Sequence, residues 1–193
     1  FRHDRSQPFD AQAWRWDAQG SISGKVMDGY LRGAIVYWDC NGNQVPDATE
    51  ARTTSGPGGA YSIAAAPSQR CQLLAQVPWS AVDEDAPQTT VGLSYSLAAA
   101  PDQFDLITPY TTMIFGALNA DPTQSVATAD DQLARSIGFT CGSLAVDYQA
   151  ASSSYTTTCK NVVSATAKFY RGLLQAQPAD MLLSAASQQA LKM

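Results

Sequence analysis

Between β-like and turn-like segments the chain reads Asp39-Cys40-Asn41-Gly42-Asn43-Gln44-Val45-Pro46-Asp47-Ala48-Thr49-Glu50. Oxygen-bearing side chains fall at positions 1, 3, 5, 9 and 12 of this stretch, as Asp39, Asn41, Asn43, Asp47 and Glu50. A hard cation gathers about six to eight oxygens, and this spacing, with the Val45 carbonyl at position 7, is the ligand pattern of an EF-hand-type calcium loop. Position 6 of such loops is normally Gly, because the backbone turns sharply there. Here it is Gln44, with Gly42 two positions earlier. A side chain forced into a left-handed turn costs about 1–2 kcal/mol, so a calcium affinity lower than that of a Gly-containing loop is expected.

Residues for covalent or acid–base catalysis are scarce. The only histidine is His3, near the start of the chain, so Ser-His-Asp and Cys-His systems and histidine-held zinc lack their base or ligand. Asp83-Glu84-Asp85 lies in a Pro-flanked loop and Asp130-Asp131 in the middle of an expected helix; both read as solvated surface. Adjacent carboxylates in one loop do not converge across a cleft as a glycosidase requires, although Asp83-Glu84-Asp85 could contribute to a second cation site. Gly56-Pro57-Gly58-Gly59 is followed by no Gly-Lys-Ser/Thr and reads as a hairpin turn rather than a phosphate cradle. Tyr30, Tyr37, Trp38, Tyr61, Trp79 and Tyr95 fall in one half of the chain; core packing is the commoner role for such residues, a sugar-binding platform the sharper one.

The elements that must hold the loop are β. Ser21–Asp28 alternates and runs into the turn Asp28-Gly29, and Ala34–Trp38 is a short apolar strand leading directly to Asp39. Strands are expected at Arg52–Thr54, Ala60–Ile63 and Cys71–Val77, with one or two more in Thr89–Leu97. Turn signals every 8–12 residues point to a β-sandwich. After Pro101 the pattern becomes helical. Thr108-Pro109 supplies an N-cap and an N1 proline for a helix through Met113, Ile114 and Leu118. Further helices are expected over about Val126–Ile137, ended by Gly138, over about Lys160–Gln175, and from Pro178 onward. The order is β then α, an α+β fold. It divides into an extended arm over 1–19, carrying Phe9, Trp14 and Trp16, a β-sandwich over 20–100 and a small helical subdomain over 101–193.

The 193 residues have a formal net charge of −5 and are 45% hydrophobic but only 15% charged. That balance argues against nucleic acid or an anionic membrane as the main partner, and no apolar run is long enough to span a bilayer. The chain begins with Phe1 rather than Met, so a processed, engineered or trimmed N-terminus is expected. Cys40, Cys71, Cys141 and Cys159 form no Cys-x-x-Cys pair, so disulfides in an oxidising compartment are expected over zinc or redox chemistry. Of three possible pairings, Cys40–Cys71 with Cys141–Cys159 keeps each bridge within one structural region; four buried free thiols are the alternative.

The run Gly24-Lys25-Val26-Met27-Asp28-Gly29-Tyr30-Leu31-Arg32-Gly33-Ala34-Ile35-Val36-Tyr37-Trp38-Asp39 resembles the opening of Cna-B-type, prealbumin-like bacterial surface domains. Their calcium loop and Thr-x-x-Gly-x-Tyr strand are similar to Asp39–Glu50 and to Thr54, Gly59, Tyr61 and Ile63 here. Ile107-Thr108-Pro109-Tyr110-Thr111-Thr112-Met113 resembles a segment that follows such domains in large surface proteins and lipoproteins, and Leu133 to Phe139 a helix ending found there. The resemblance covers about residues 20–140. It implies an immunoglobulin- or prealbumin-like sandwich, non-enzymatic and extracellular, used for adhesion, spacing or display. Two departures stand out: Gln44 in place of the loop glycine, and cysteines, one of them inside the loop. Lys25 is on the strand that carries an internal isopeptide bond in some relatives, but no matching Asn ends the β region.

The expected function is that of a structural or adhesive module at the bacterial cell surface, stiffened by calcium and disulfides. Its partners would be copies of itself or neighbouring surface-protein domains. The arm around Phe9, Trp14 and Trp16 could add as a strand to a neighbour's sheet edge in a filament. A carbohydrate-binding module of a secreted protein, with glycans as partners, is the alternative.

Overall fold

The computed structural model describes residues 20–66 and 71–176. The expected arm with Phe9, Trp14 and Trp16 and the expected helix from Pro178 lie outside the described residues. The elements in chain order are β1 (Ser21–Val26), β2 (Leu31–Arg32), β3 (Ile35–Asp39), β4 (Arg52–Thr54), a 3-10 turn (Pro57–Gly59), β5 (Ala60–Ala64), β6 (Gln72–Val77), β7 (Val82–Asp83), β8 (Tyr95–Ala100), β9 (Gln103–Thr108), α1 (Pro109–Ala120), α2 (Val126–Ser136) and α3 (Thr157–Gln175). The fold is mostly β and of α+β class.

Among the described residues, seven strands form one mixed sheet in the order β4-β3-β6-β8-β9-β1-β5, and β2 and β7 form a separate pair. Neighbours are antiparallel except β1 and β9, which run parallel. The two outer strands, β4 and β5, are themselves in contact. The sheet therefore rolls around its own core, an arrangement compatible with a sandwich or barrel. Val36, Trp38, Leu73, Ala75, Val77, Leu97 and Ala99 point inward with Ile22, Val26 and Ile63. The alternate residues Tyr37, Leu74 and Ala98 face outward and are covered by Phe115 of α1. Strands buried on both faces read as continuous apolar runs, which is why Ile35–Trp38 and Leu73–Ala75 show little alternation.

Threonine hydroxyls seat α1 on the sheet. Thr108 accepts from the Thr111 backbone N–H at 3.0 Å while Thr111 Oγ1 accepts from the Thr108 N–H at 2.8 Å, a reciprocal cap. Thr111 Oγ1 also donates to the Ala98 carbonyl at 2.7 Å, and Thr112 Oγ1 accepts from the Ala98 N–H at 2.9 Å. These two hydroxyls thus satisfy the backbone of Ala98 directly under the helix. A second core holds Met113, Ile114, Leu133, Leu144, Val163 and Ala167 from α1, α2, α3 and the loop before α3. At its centre Tyr110 donates to the Val163 carbonyl at 2.7 Å and meets Tyr148 and Tyr170 edge-on.

Both expected disulfides are present, Cys40–Cys71 and Cys141–Cys159, and they point to an oxidising, extracellular environment. No helix among the described residues is long and apolar enough to cross a membrane.

Three parts of the sheet differ from the sequence reading. The sheet does not stop near residue 100: β9 continues it to Thr108, entered through Asp102 at φ 63°. Residues 89–94 are not a strand; they carry only a bridge between Thr90 and Val82, and β8 begins at Tyr95. The two-residue strands β2 and β7 pair across the acidic loop, which puts Asp83 in a strand.

Candidate metal-binding loop and charged junction

The Asp39–Glu50 loop joins the end of β3 to β4 and is curled by its own side chains. Asp39 accepts from the backbone N–H of Gly42 at 2.8 Å and of Gln44 at 3.0 Å, one through each carboxylate oxygen. Asn41 Oδ1 accepts from Asn43 N–H at 3.0 Å and Asn43 Oδ1 from Val45 N–H at 2.9 Å. The Asn41 and Asn43 carboxamides both donate to Asp47 Oδ2, at 2.7 and 2.9 Å. Glu50 closes the loop by accepting from Cys40 N–H at 2.9 Å and Asp47 N–H at 3.2 Å. All five side chains expected as ligands thus bond within the loop, and Asn41, Asn43 and Asp47 bond to one another. Val45, expected through its carbonyl, is 53% exposed. Gln44 adopts φ 60° and Gly42 φ 77°, so the turn normally given to glycine is taken by glutamine.

The loop base is fixed covalently. Asp39 of β3 lies opposite Gln72 of β6, so the next pair outward is Cys40 and Cys71, whose Cα atoms are 4.0 Å apart. Asp39 is 1% exposed, whereas Cys40 and the loop tip are exposed. Behind the loop, the Tyr37 hydroxyl is buried without a hydrogen-bond partner. Burial pushes its ionisation well above the usual tyrosine range, and the charges of Asp39, Glu50 and Asp47 push it further. Hard oxygen donors in a curled loop, with an orphaned hydroxyl beside three carboxylates, fit a calcium ion in kind. Among the described residues no three or more His, Cys, Asp or Glu side chains gather as a metal site, so Asp39, Asp47 and Glu50 are not grouped as one.

A second cluster was not anticipated from the sequence. Asp28, at the turn after β1, and Asp83 of β7 both bind Arg171 Nη1 of α3, at 3.0 and 2.9 Å. The two carboxylate side chains are 0% and 7% exposed. Tyr95 donates to Asp28 Oδ2 at 3.1 Å, and Gly29 N–H to Asp28 Oδ1 at 3.1 Å. A Cβ on Gly29 would lie 2.0 Å from Asp83 Oδ1, so glycine is needed there for the two loops to meet. Lys168 of α3 pairs with Asp85 at 3.0 Å, and Glu84 accepts from Gly58 N–H at 3.0 and 3.1 Å. The acidic triplet expected at the solvated surface is therefore bound to the protein's own donors, and Asp83 is buried. Asp130 is likewise buried, accepting from Leu144 N–H at 2.9 Å. Beside this junction Lys25 meets Asp147 at 2.7 Å, and the Tyr30 hydroxyl donates to the same carboxylate. The sequence signals for the cluster were slight: Asp28-Gly29 read only as a turn, and Arg171 follows Asp28 by 143 residues.

Of the six aromatics considered as a sugar platform, Tyr37, Trp38, Tyr61 and Tyr95 are buried and Tyr30 is partly buried. Trp79 alone is exposed, at 63%, on the turn after β6. No family model matches this chain, and no curated protein or solved structure was found to match it.

Proposed function

We propose that this chain is a non-catalytic structural or adhesive module of a bacterial cell surface, a prealbumin-like sandwich stiffened by calcium and disulfides. The observation that carries the reading is the Asp39–Glu50 loop. Within it Asn41, Asn43 and Asp47 bond to one another, Asp39 and Glu50 bind the loop backbone, and the Cys40–Cys71 bridge anchors its base. Asp39, Asn41, Asn43, Asp47, Glu50 and the Val45 carbonyl would hold the ion. Bound calcium would replace the amide hydrogens that now hold these oxygens together and so would act on stability. The loop joins two strands rather than two helices, which leaves no helix pair to open as in an EF-hand sensor.

The test is thermal melting in chelator and in millimolar calcium. Wild type should melt higher with calcium, and Asp39→Ala with Glu50→Ala should remove the rise. A wild-type midpoint that does not move would refute the calcium reading.

Assembly with copies of itself or with neighbouring surface domains, through the arm carrying Phe9, Trp14 and Trp16, belongs to the same reading. A donated strand at the β5 edge would meet carbonyls already in use, since Trp38 Nε1 donates to Ala64 O at 2.8 Å and Gly56 N–H to Ala60 O at 2.8 Å. Deleting residues 1–19 and imaging the product by negative stain decides the point; assembly that survives unchanged rules the arm out as strand donor.

A further inference from the structure

The junction between α3 and the sheet holds an unbalanced charge. Asp28 and Asp83 arrive from two different segments and share a single guanidinium nitrogen of Arg171. The carboxylates are withdrawn from water: Asp28 is fully buried and Asp83 nearly so, while the Arg171 side chain is 21% exposed. Among the described residues no nearby cation is spare. Lys168, the other basic group of α3 at this face, is engaged with Asp85. Among the described residues the other groups near Asp28 are neutral or acidic: Tyr95 from β8, Tyr148 from the loop before α3, Asp83 of β7 and Asp85 just after it. Two buried carboxylates beside one arginine are one positive charge short, and the penalty for a buried uncompensated charge is large.

We propose that the Asp28–Asp83–Arg171 cluster is a proton-operated latch, in which one proton on Asp28 balances the charge and tightens the seating of α3 on the Asp28-Gly29 turn and β7. With Asp28 neutral, Arg171 pairs with Asp83 alone and the cluster carries no net charge. With Asp28 ionised, the same contacts hold an excess negative charge out of water. The direction follows from the surroundings. Burial raises the Asp28 carboxyl to about 7, against the opposing pull of Arg171, whereas an unfolded aspartate ionises near 4, at about 3.9. A group raised in the folded state contributes stability that is fully present below its unfolded value and is lost as pH rises through its folded value. The latch is therefore tight in mildly acidic surroundings and loosens as the pH passes neutrality. Between these two limits one extra bound proton makes the folding constant climb by up to about tenfold for each unit of falling pH.

The experiment uses the full 193-residue chain with both disulfides intact. Denaturant unfolding is measured at pH 8.0, 7.0, 6.0 and 5.5 for wild type and Asp28→Asn, which keeps one acceptor oxygen for Gly29, offers the Tyr95 hydroxyl an amide donor in place of the second oxygen, and carries no charge. Wild type should gain several-fold to tenfold in folding constant per unit below pH 7. The variant should lack that gain and exceed wild type at pH 8. Equal slopes in the two proteins, or a wild type that weakens between pH 8 and 6, would overturn the latch. Hydrogen exchange across Thr157–Gln175, corrected for intrinsic rates, should show protection that grows with acid in wild type only; protection independent of pH also overturns it. Should Asp28→Asn fail to fold, carboxyl-carbon NMR of wild type replaces it: an Asp28 midpoint near 7 supports the latch and one near 4 ends it.

Discussion

Replacing Arg171 by Met tests how firmly α3 is tied to the sheet. The substitution keeps the aliphatic stem that packs along α3 but removes the nitrogen that lies 3.0 Å from Asp28 and 2.9 Å from Asp83. Both carboxylates then remain buried with no cation. Breaking a buried pair from one side costs about 3–5 kcal/mol. For a chain of this size each kcal/mol moves the melting temperature by about 2–4 °C, so Arg171→Met should melt about 6–20 °C below wild type at pH 7.5. Adding Asp28→Asn and Asp83→Asn to the same protein should return most of the loss, because the penalty belongs to the stranded charges rather than to a missing attraction. Circular dichroism melts of wild type, the single variant and the triple variant give the comparison. A single variant within 2 °C of wild type would refute the claim that this cluster is desolvated, and a triple variant as unstable as the single one would refute the charge argument.

Two further outcomes are expected. Cys141→Ser with Cys159→Ser opens a bridge of sequence separation 18 and should cost about 3 kcal/mol by loop-closure entropy, read by denaturant unfolding, with loss of order concentrated in the loop before α3. Gln44→Gly removes a side chain from a left-handed position at φ 60° and should relieve up to about 1–2 kcal/mol of strain; calcium titration calorimetry should show affinity equal to or higher than wild type, and a weaker affinity would show that Gln44 contributes to the loop.

How far the sequence could be read depended on the range of the interactions. Helices were legible because their ends are local: Thr108-Pro109 capped α1, and Gly138 at φ 68° ended α2. Strands β1, β3, β5 and β6 were legible from alternation or apolar runs. Strand β9 was missed because its turn rests on Asp102 in a left-handed conformation, which aspartate adopts more readily than most residues but without any sequence mark. Its alternation of Phe104 and Leu106 with Gln103 and Asp105 was present and overlooked beside Pro101. The Asp39–Glu50 loop stood out because its oxygen-bearing residues are close in sequence. The junction was invisible because Asp28, Asp83 and Arg171 are remote in sequence, and an aspartate in an acidic loop has the same appearance whether it faces water or an arginine 88 residues away.

The bridge at the base of the Asp39–Glu50 loop bears on how the sheet is assembled. Cys40 and Cys71 are opposed only because Trp38 faces Leu73 and Asp39 faces Gln72. A slip of one residue between β3 and β6 would turn Val36 and Trp38 from the core to the outer face and would bring Cys40 opposite a residue that cannot bond to it. Oxidation at this position can therefore be completed only on a correctly aligned pair. In a secretory compartment the bond would act as a checkpoint, sealing β3 and β6 in register and leaving misaligned chains with two reactive thiols.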